Sequence, residues 1–228
     1  MNYEEVLERF VVLSQKVPTK SAEHMSRVGI TPKKTYGIRI PHLRELAREI
    51  GKDHELALRL WESNTRETRI LACMIEDKDL VTEEQMEKWV TDFNYWEICD
   101  QCCMNLFEKM PIAYEKAVEW SFRDEEFVKR AGFALMARLA VSDKKTPDDE
   151  FEKFFPHIMR GSLDDRNYVK KAVNWALCQV GKRNRSLNKK AIENALEIKK
   201  IPEGSAKWIA SDALRELRDE KVQKRFKK

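Results

Sequence analysis

The sequence predicts an all-α fold of stacked helix pairs, on three observations. Glycine and proline are scarce, 7 of each in 228 residues, which disfavours a many-turned β architecture and favours helices with short connectors. Apolar residues recur at helical spacing along most of the chain, and no alternating run is long enough for a persuasive strand. Finally, Phe127-Val128-Lys129-Arg130-Ala131 is echoed 41 positions later by Tyr168-Val169-Lys170-Lys171-Ala172. A two-helix unit recurring every ~30 to 40 residues marks an α-solenoid of the HEAT or armadillo kind. Equivalent positions of successive repeats then line one concave, basic face. Residues 1–220 read as a single domain of this kind, and 221–228 as a basic tail.

Each element follows from local signals. Tyr3, Val6, Leu7, Phe10, Val11 and Leu13 form the apolar stripe of a helix over 3–16, and a short helix follows Ser21, ending near Gly29. In Thr35-Tyr36-Gly37-Ile38-Arg39-Ile40-Pro41 the chain leaves one helix, and Pro41 opens another whose stripe of Leu43, Leu46, Ala47 and Ile50 stops at Gly51. Asp53 caps the next, which runs through Leu56, Leu58, Leu60 and Trp61. Asn64 with Glu67, and Thr82 with Gln85, have capping-box spacing and start helices at 65–76 and 83–92. Helices at 95–109 and 112–121 meet at Pro111. The pair 125–141 and 148–159 follows, with Pro156 expected to kink or end the second because it has no N–H to donate. The last helices span 166–181, stopped by Gly181, then 187–199 and 204–218.

Charge is segregated behind a net +4. Residues 166–228 carry 18 Lys and Arg against 7 Asp and Glu, a balance of +11 that leaves −7 for residues 1–165. Without the tail, residues 166–220 are still basic, 13 against 7. A local positive field of this kind suits a polyanionic partner. No run of 18 apolar residues occurs, and the first ten residues show no basic region leading into an apolar core, so a cytoplasmic protein away from membranes is expected. The five cysteines (Cys73, Cys99, Cys102, Cys103, Cys178) sit in apolar helical patterns and read as buried thiols of a reducing compartment.

Several chemistries find no support. There is no Gly-rich phosphate loop, Gly-x-Ser-x-Gly elbow or His-Glu-x-x-His, and His24, His42, His54 and His157 lack ligand spacing, so neither cofactor nor metal is expected. What remains is one carboxylate among aromatics and cations. Trp96 and Asp100 lie one helical turn apart in Asn94-Tyr95-Trp96-Glu97-Ile98-Cys99-Asp100, and Lys129, Arg130, Lys170, Lys171 and Trp175 fall at corresponding places in later repeats. Cations spaced along a solenoid can track phosphates, and aromatic faces can pack on bases or sugars. Trp208 and Asp212 repeat the Trp96–Asp100 spacing, but Trp61, Trp89, Trp120 and Trp208 read as core anchors.

The order Tyr36-Gly37-Ile38-x-Ile40-Pro41-x-Leu43-Arg44, Trp96-Glu97-Ile98-Cys99-Asp100, Lys129-Arg130-Ala131 and Val173-Asn174-Trp175 resembles the AlkD-like family of DNA alkylation repair proteins. The likeness runs from about Met25 to Leu217. It implies a monomeric HEAT-like superhelix that excises N3- or N7-alkylated purines from duplex DNA through contacts to backbone and sugar, with the lesion left largely stacked. It further implies that Asp100 is catalytic, that Trp96 and Trp175 pack on the deoxyribose, and that Arg130 holds the DNA backbone; the spacing of the cations, apart from the resemblance, puts Lys129, Lys170 and Lys171 on phosphates. Tyr95 departs from the best-known member, which has a second Trp there, and is expected to touch DNA differently. The alternative is a non-catalytic HEAT-repeat protein that binds branched or distorted DNA.

Overall fold

The computed structural model describes residues 1–17 and 21–226, Ser21 and Ala22 by their backbone alone, so the last two residues of the expected tail lie outside it. All regular structure among the described residues is helical, in two units, Met1–Met110 and Pro111–Lys228.

The first unit holds α1 (Tyr3–Ser14), α2 (Ser21–Arg27), α3 (Ile40–Ile50), α4 (His54–Glu62), α5 (Arg66–Ile75), α6 (Glu83–Thr91) and α7 (Trp96–Asn105), closed by a 3-10 turn at Phe107–Lys109. Helix α5 is central: it packs on α3, α4 and α7. Trp61 of α4 and Trp89 of α6 stack with ring centroids 4.0 Å apart, and the Trp61 Nε1 donates to Asp92 at 2.7 Å. A buried indole usually finds such a partner for its N–H, which spares the cost of leaving that donor unsatisfied.

A buried charge network joins three parts of this unit. Arg66, the first residue of α5, donates Nε and Nη2 to the two carboxylate oxygens of Glu97 on α7, at 2.6 and 2.7 Å. Its Nη1 reaches the Ile38 carbonyl (2.8 Å) and Glu67 Oε1 (2.9 Å). Glu67 in turn accepts from the Thr35 hydroxyl and from the main-chain N–H groups of Tyr36 and Ile38. In the link 35–38, which has no regular structure, the N–H groups of Tyr36 and Ile38 are thus satisfied by one carboxylate, that of Gly37 by the Thr35 hydroxyl oxygen, and the Ile38 carbonyl by Arg66. This displaces the expected cap of α5 by one residue. Thr65, with Thr68, forms the capping box; Asn64 takes a left-handed backbone (φ 52°); and Glu67 turns inward instead of capping.

The second unit holds α8 (Ala113–Trp120), α9 (Glu126–Ser142), α10 (Asp148–Glu152), α11 (Phe154–Gly161), α12 (Asn167–Gly181), α13 (Arg185–Lys200), α14 (Gly204–Leu217) and α15 (Glu220–Arg225). Helix α12 packs on α9 and α14, which recur at the spacing the sequence echo implies, while α8 backs α9 and α13 backs α14. At Gly132 of α9 a Cβ would stand 2.5 Å from the Ser121 main-chain nitrogen, so only glycine lets α9 approach the end of α8 this closely. The break expected at Pro156 comes at Lys153, because Pro156 falls in the first turn of α11, where a missing N–H costs no intrahelical bond. Residues 220–225 are helical, not a loose tail: Val222 is buried, and Gln223 Nε2 donates to the Leu217 carbonyl (2.6 Å) and Asn188 Oδ1 (3.0 Å).

Between α9 and α10 the chain turns about Asp143. Its carboxylate accepts from the Thr146 hydroxyl (2.7 Å), the N–H groups of Lys145 and Thr146, and the Tyr114 hydroxyl (3.0 Å). These bonds, the Thr146 hydroxyl foremost, hold its ionisation far below the usual carboxylate range. Arg183, at the end of α12, closes the turn from the far side through the Ala140, Asp143 and Thr146 carbonyls, with its guanidinium 3.8 Å from the Phe151 ring centroid.

Of the four tryptophans expected in the core, Trp61, Trp89 and Trp120 are at most 1% exposed, but Trp208 on α14 is 40% exposed. Its ring is available at the surface.

Two stability predictions follow from these contacts. Truncating Arg66→Ala leaves the Glu97 and Glu67 carboxylates buried without their cation and is expected to lower stability by about 3–5 kcal/mol in urea unfolding. Arg66→Lys is expected to recover only part of this, because an ammonium cannot form the two parallel bonds to Glu97. For Asp143 the folded-state ionisation is depressed, so its contribution is present at neutral pH and fades as pH falls below the unfolded value of about 4. Asp143→Asn should therefore lower the thermal midpoint at pH 7, and the gap to the parent should narrow steadily below about pH 4. A gap that stays constant with pH would show that the charge of Asp143 does not contribute.

Candidate functional site

Helix α7 starts at Trp96, after Tyr95 in extended backbone conformation (φ −155°, ψ 158°). It buries Glu97, Ile98, Cys99, Cys102 and Cys103 and leaves Trp96, Asp100 and Met104 half-buried along one row. Trp96 and Asp100 therefore share a solvent-side row, as a spacing of one turn requires. The Trp96 Nε1 donates to the Val28 carbonyl at 2.9 Å, just past the end of α2, so the indole is pinned at its edge. The neighbouring carboxylate, Glu97, points the other way into the pair with Arg66. Of the two acids in this turn, only Asp100 stands on the row that carries the indole.

The cysteines fit the same division. All five are buried thiols, and burial, with Cys73 as hydrogen-bond partner, pushes the Cys102 thiol well above its ordinary range. An uncharged thiol at neutral pH is packing material on the covered side of α7.

Tyr95 is placed differently from the expectation. It is 3% exposed, its hydroxyl finds no hydrogen-bond partner among the described residues, and burial followed by the Glu97 charge drives its phenol ionisation strongly upward. A side chain this deep packs the start of α7 and does not reach DNA. The period-2 break between an extended Tyr95 and a helical Trp96 sends the two aromatics in different directions, which residue spacing within a helix does not anticipate.

In the second unit, α9 and α12 bring their first turns together. Phe127 and Tyr168 approach with ring centroids 5.5 Å apart, and Arg130 Nη1 donates to the Tyr168 carbonyl at 2.6 Å. Arg130 is 6% exposed, so its guanidinium braces α12 against α9; this corrects the expectation that it lies on the DNA backbone. Lys129 is half-buried in an ion pair with Asp164 at 3.3 Å. Burial opposes ionisation of Asp164, but the Arg166 guanidinium and N–H more than offset this and hold it below the ordinary carboxylate range. Lys171 is exposed, and Lys170 is half-buried with its Nζ 5.2 Å from the centroid of Trp208. Trp175 is half-buried; with the Gln179 amide turned so that its oxygen faces the donors, that oxygen accepts from Trp175 Nε1 (3.2 Å) and Lys182 Nζ (3.0 Å). Both candidate indoles are thus fixed at the N–H edge.

Sequence reasoning placed the Trp96–Asp100 row and the exposed Lys171 but missed Val28, Arg66 and Glu97 as positioning groups and Trp208 as a surface aromatic. The first three act through a main-chain carbonyl or a buried pair, for which the only signal is a charged residue where an apolar one is expected. No helix among the described residues is long and apolar enough to cross a membrane.

Comparison with known proteins bears on this arrangement. Two uncharacterized proteins, from Listeria innocua serovar 6a and Listeria monocytogenes serovar 1/2a, are each 25% identical to the chain over 169 residues, 73% of either length. A solved structure, described as a new family of proteins related to the HEAT-like repeat DNA glycosylases with affinity for branched DNA structures, superposes with a TM-score of 0.77. It shares 17% identity and covers 94% of this chain and 95% of its own, a likeness that shows the all-α HEAT-like fold. The family model for DNA alkylation repair enzymes matches residues 12–217, almost the whole chain, and the protein therefore belongs to the DNA alkylation repair enzyme family.

Proposed function

We propose that the protein is a DNA glycosylase that acts as a monomer to release N3- and N7-alkylated purines from duplex DNA, with Asp100 as its catalytic carboxylate. The observation that carries this reading is the row on α7: an indole pinned by the Val28 carbonyl, and one turn on, a half-buried carboxylate whose acidic neighbour is withdrawn into the core. Membership of the DNA alkylation repair enzyme family supports it.

The chemistry suits so small a set of groups. Alkylation at N3 or N7 gives the purine a positive charge, so when the C1′–N9 bond breaks its electron pair neutralises the ring and the base departs without a proton donor. The sugar is left as an oxocarbenium-like cation. Asp100 stabilises that charge electrostatically and orients the water that adds to C1′, and the proton from this water passes to the carboxylate or to solvent. The face of Trp96 offers negative quadrupole density to the same developing cation, and Trp175, in the second unit, packs on a deoxyribose of the bound strand. Lys170 and Lys171 hold phosphates, while Arg130 sets the position of α12 and hence of Trp175 and both lysines.

A second reading, a DNA-binding protein without base excision, is favoured by the structural neighbour's described affinity for branched DNA. A base-release assay on duplex DNA containing N7-methylguanine decides between the two. The glycosylase reading expects free N7-methylguanine from the parent protein, and Asp100→Asn to slow release by about 10²- to 10³-fold without weakening binding, since the change removes an anion facing phosphates. Binding without release by the parent would leave the second reading standing. Trp96→Ala is expected to slow release by about tenfold, with Trp96→Phe intermediate because it keeps a ring but loses the bond to Val28.

A further inference from the structure

We infer that Trp208 and Lys170 form a second nucleic-acid contact, a stacking platform for an unpaired base beside the phosphates that Lys171 holds. The inference rests on the DNA-binding reading above and adds to it a site outside the α7 row and a structural class of substrate.

The platform is built from adjacent helices of one unit. Trp208, on α14, is 40% exposed, against at most 1% for the three core tryptophans, so the helix does not use its ring to fill the interior. Lys170, on α12, holds its ammonium 5.2 Å from the ring centroid, within cation–π range, which steadies the indole from one side. Lys171 and Lys207 are exposed beside these two residues in sequence, and residues 166–228 as a whole carry the +11 balance. At Gly204, which opens α14, a Cβ would meet nothing within 4 Å, so the approach to this end of the helix is open.

The carboxylate one turn from Trp208 is held by its neighbours. Asp212, one turn from Trp208, accepts from Asn174 Nδ2 at 2.8 Å and is ion-paired with Arg215. It is committed to its neighbours and does not oppose a phosphate as an unpartnered anion would, so the site binds and does not catalyse.

The occupant follows from charge and shape. An aromatic face with a lysine ammonium against it, and exposed lysines next to both residues in sequence, selects a polyanion that offers flat apolar surfaces, a nucleic acid. Bases inside a duplex have both faces covered by their neighbours, whereas an unpaired base at an overhang, flap or branch has a face to offer. Stacking of one base on one aromatic contributes about 5- to 150-fold in affinity when judged by alanine substitution.

The test compares three labelled probes by fluorescence anisotropy: a blunt duplex, the same duplex with a three-nucleotide overhang, and that overhang made abasic. The parent protein is expected to bind the overhang duplex at least fivefold more tightly than the other two. Trp208→Ala should lose this preference while keeping its affinity for the blunt duplex and its release of N7-methylguanine from it; Trp208→Phe should restore most of the preference. Equal gains from the normal and abasic overhangs would assign the effect to phosphates and overturn the platform. So would a preference that survives Trp208→Ala, or a parent dimer that Trp208→Ala converts to monomer in sedimentation, which would give the surface to a second copy of the chain. Loss of all duplex binding by the parent would instead sink the DNA-binding reading, so the two failures are distinguishable.

Discussion

The bidentate pair between Arg66 and Glu97 is the constraint on which the candidate chemistry depends. A charge brought into the interior is costly unless its partner and hydrogen bonds are well placed, and here every group is matched: Glu97 takes two guanidinium N–H groups, and Glu67 takes a third together with the link 35–38. An apolar set of the same volume could give equal stability. It could not fix rotation, because apolar contacts tolerate sliding and two parallel N–H···O bonds do not. Since Glu97 lies between Trp96 and Asp100 on α7, fixing its direction fixes theirs. The inward acid determines where the outward acid points.

The two Trp–Asp pairs show how the same spacing acquires different meanings. In Trp96–Asp100 the indole N–H is bonded to a main-chain carbonyl and the neighbouring Glu97 is neutralised, leaving the aspartate on the row with the ring. In Trp208–Asp212 it is the aspartate that is engaged, by Asn174 and Arg215, while the ring stays at the surface beside Lys170. A carboxylate near phosphates reduces affinity, so one is useful only where chemistry needs it. The first pair has its aspartate on the row with a pinned ring, and the second has its aspartate held by Asn174 and Arg215 beside an exposed ring, so the same spacing presents two different surfaces.

The fold was largely legible because helical periodicity and caps are local. The starts at Asp53 and Thr82 and the glycine stop after α3 all appear where the residues imply them. The errors lie where tertiary structure overrides a local rule. Glu67 has capping-box spacing from Asn64 but is drawn to the unsatisfied N–H groups of Tyr36 and Ile38, some thirty positions away, and the cap moves to Thr65. Arg130 sits in a basic pentapeptide repeated at Lys171, yet the carbonyl of Tyr168 takes it inside while Lys171 stays out. Tyr95 precedes the helix by one residue and points into the core. Trp208 reads as core by residue type, whereas its exposure depends on what the neighbouring helix presents, in this case a lysine.

The charge distribution completes the account. Residues 1–165, which include Asp100, carry a balance of −7, and residues 166–228, which include Lys170, Lys171 and Lys207, carry +11. Under the proposed glycosylase reading, attraction to phosphates comes mainly from the cations of the second segment, and the Asp100 carboxylate contributes to the transition state rather than to affinity. The two effects differ in range: attraction between exposed charges and phosphates acts at a distance and is screened by salt, whereas an oxocarbenium-like sugar is stabilised by a charge in direct contact, where screening is weak. Salt therefore weakens binding before it touches the chemical step.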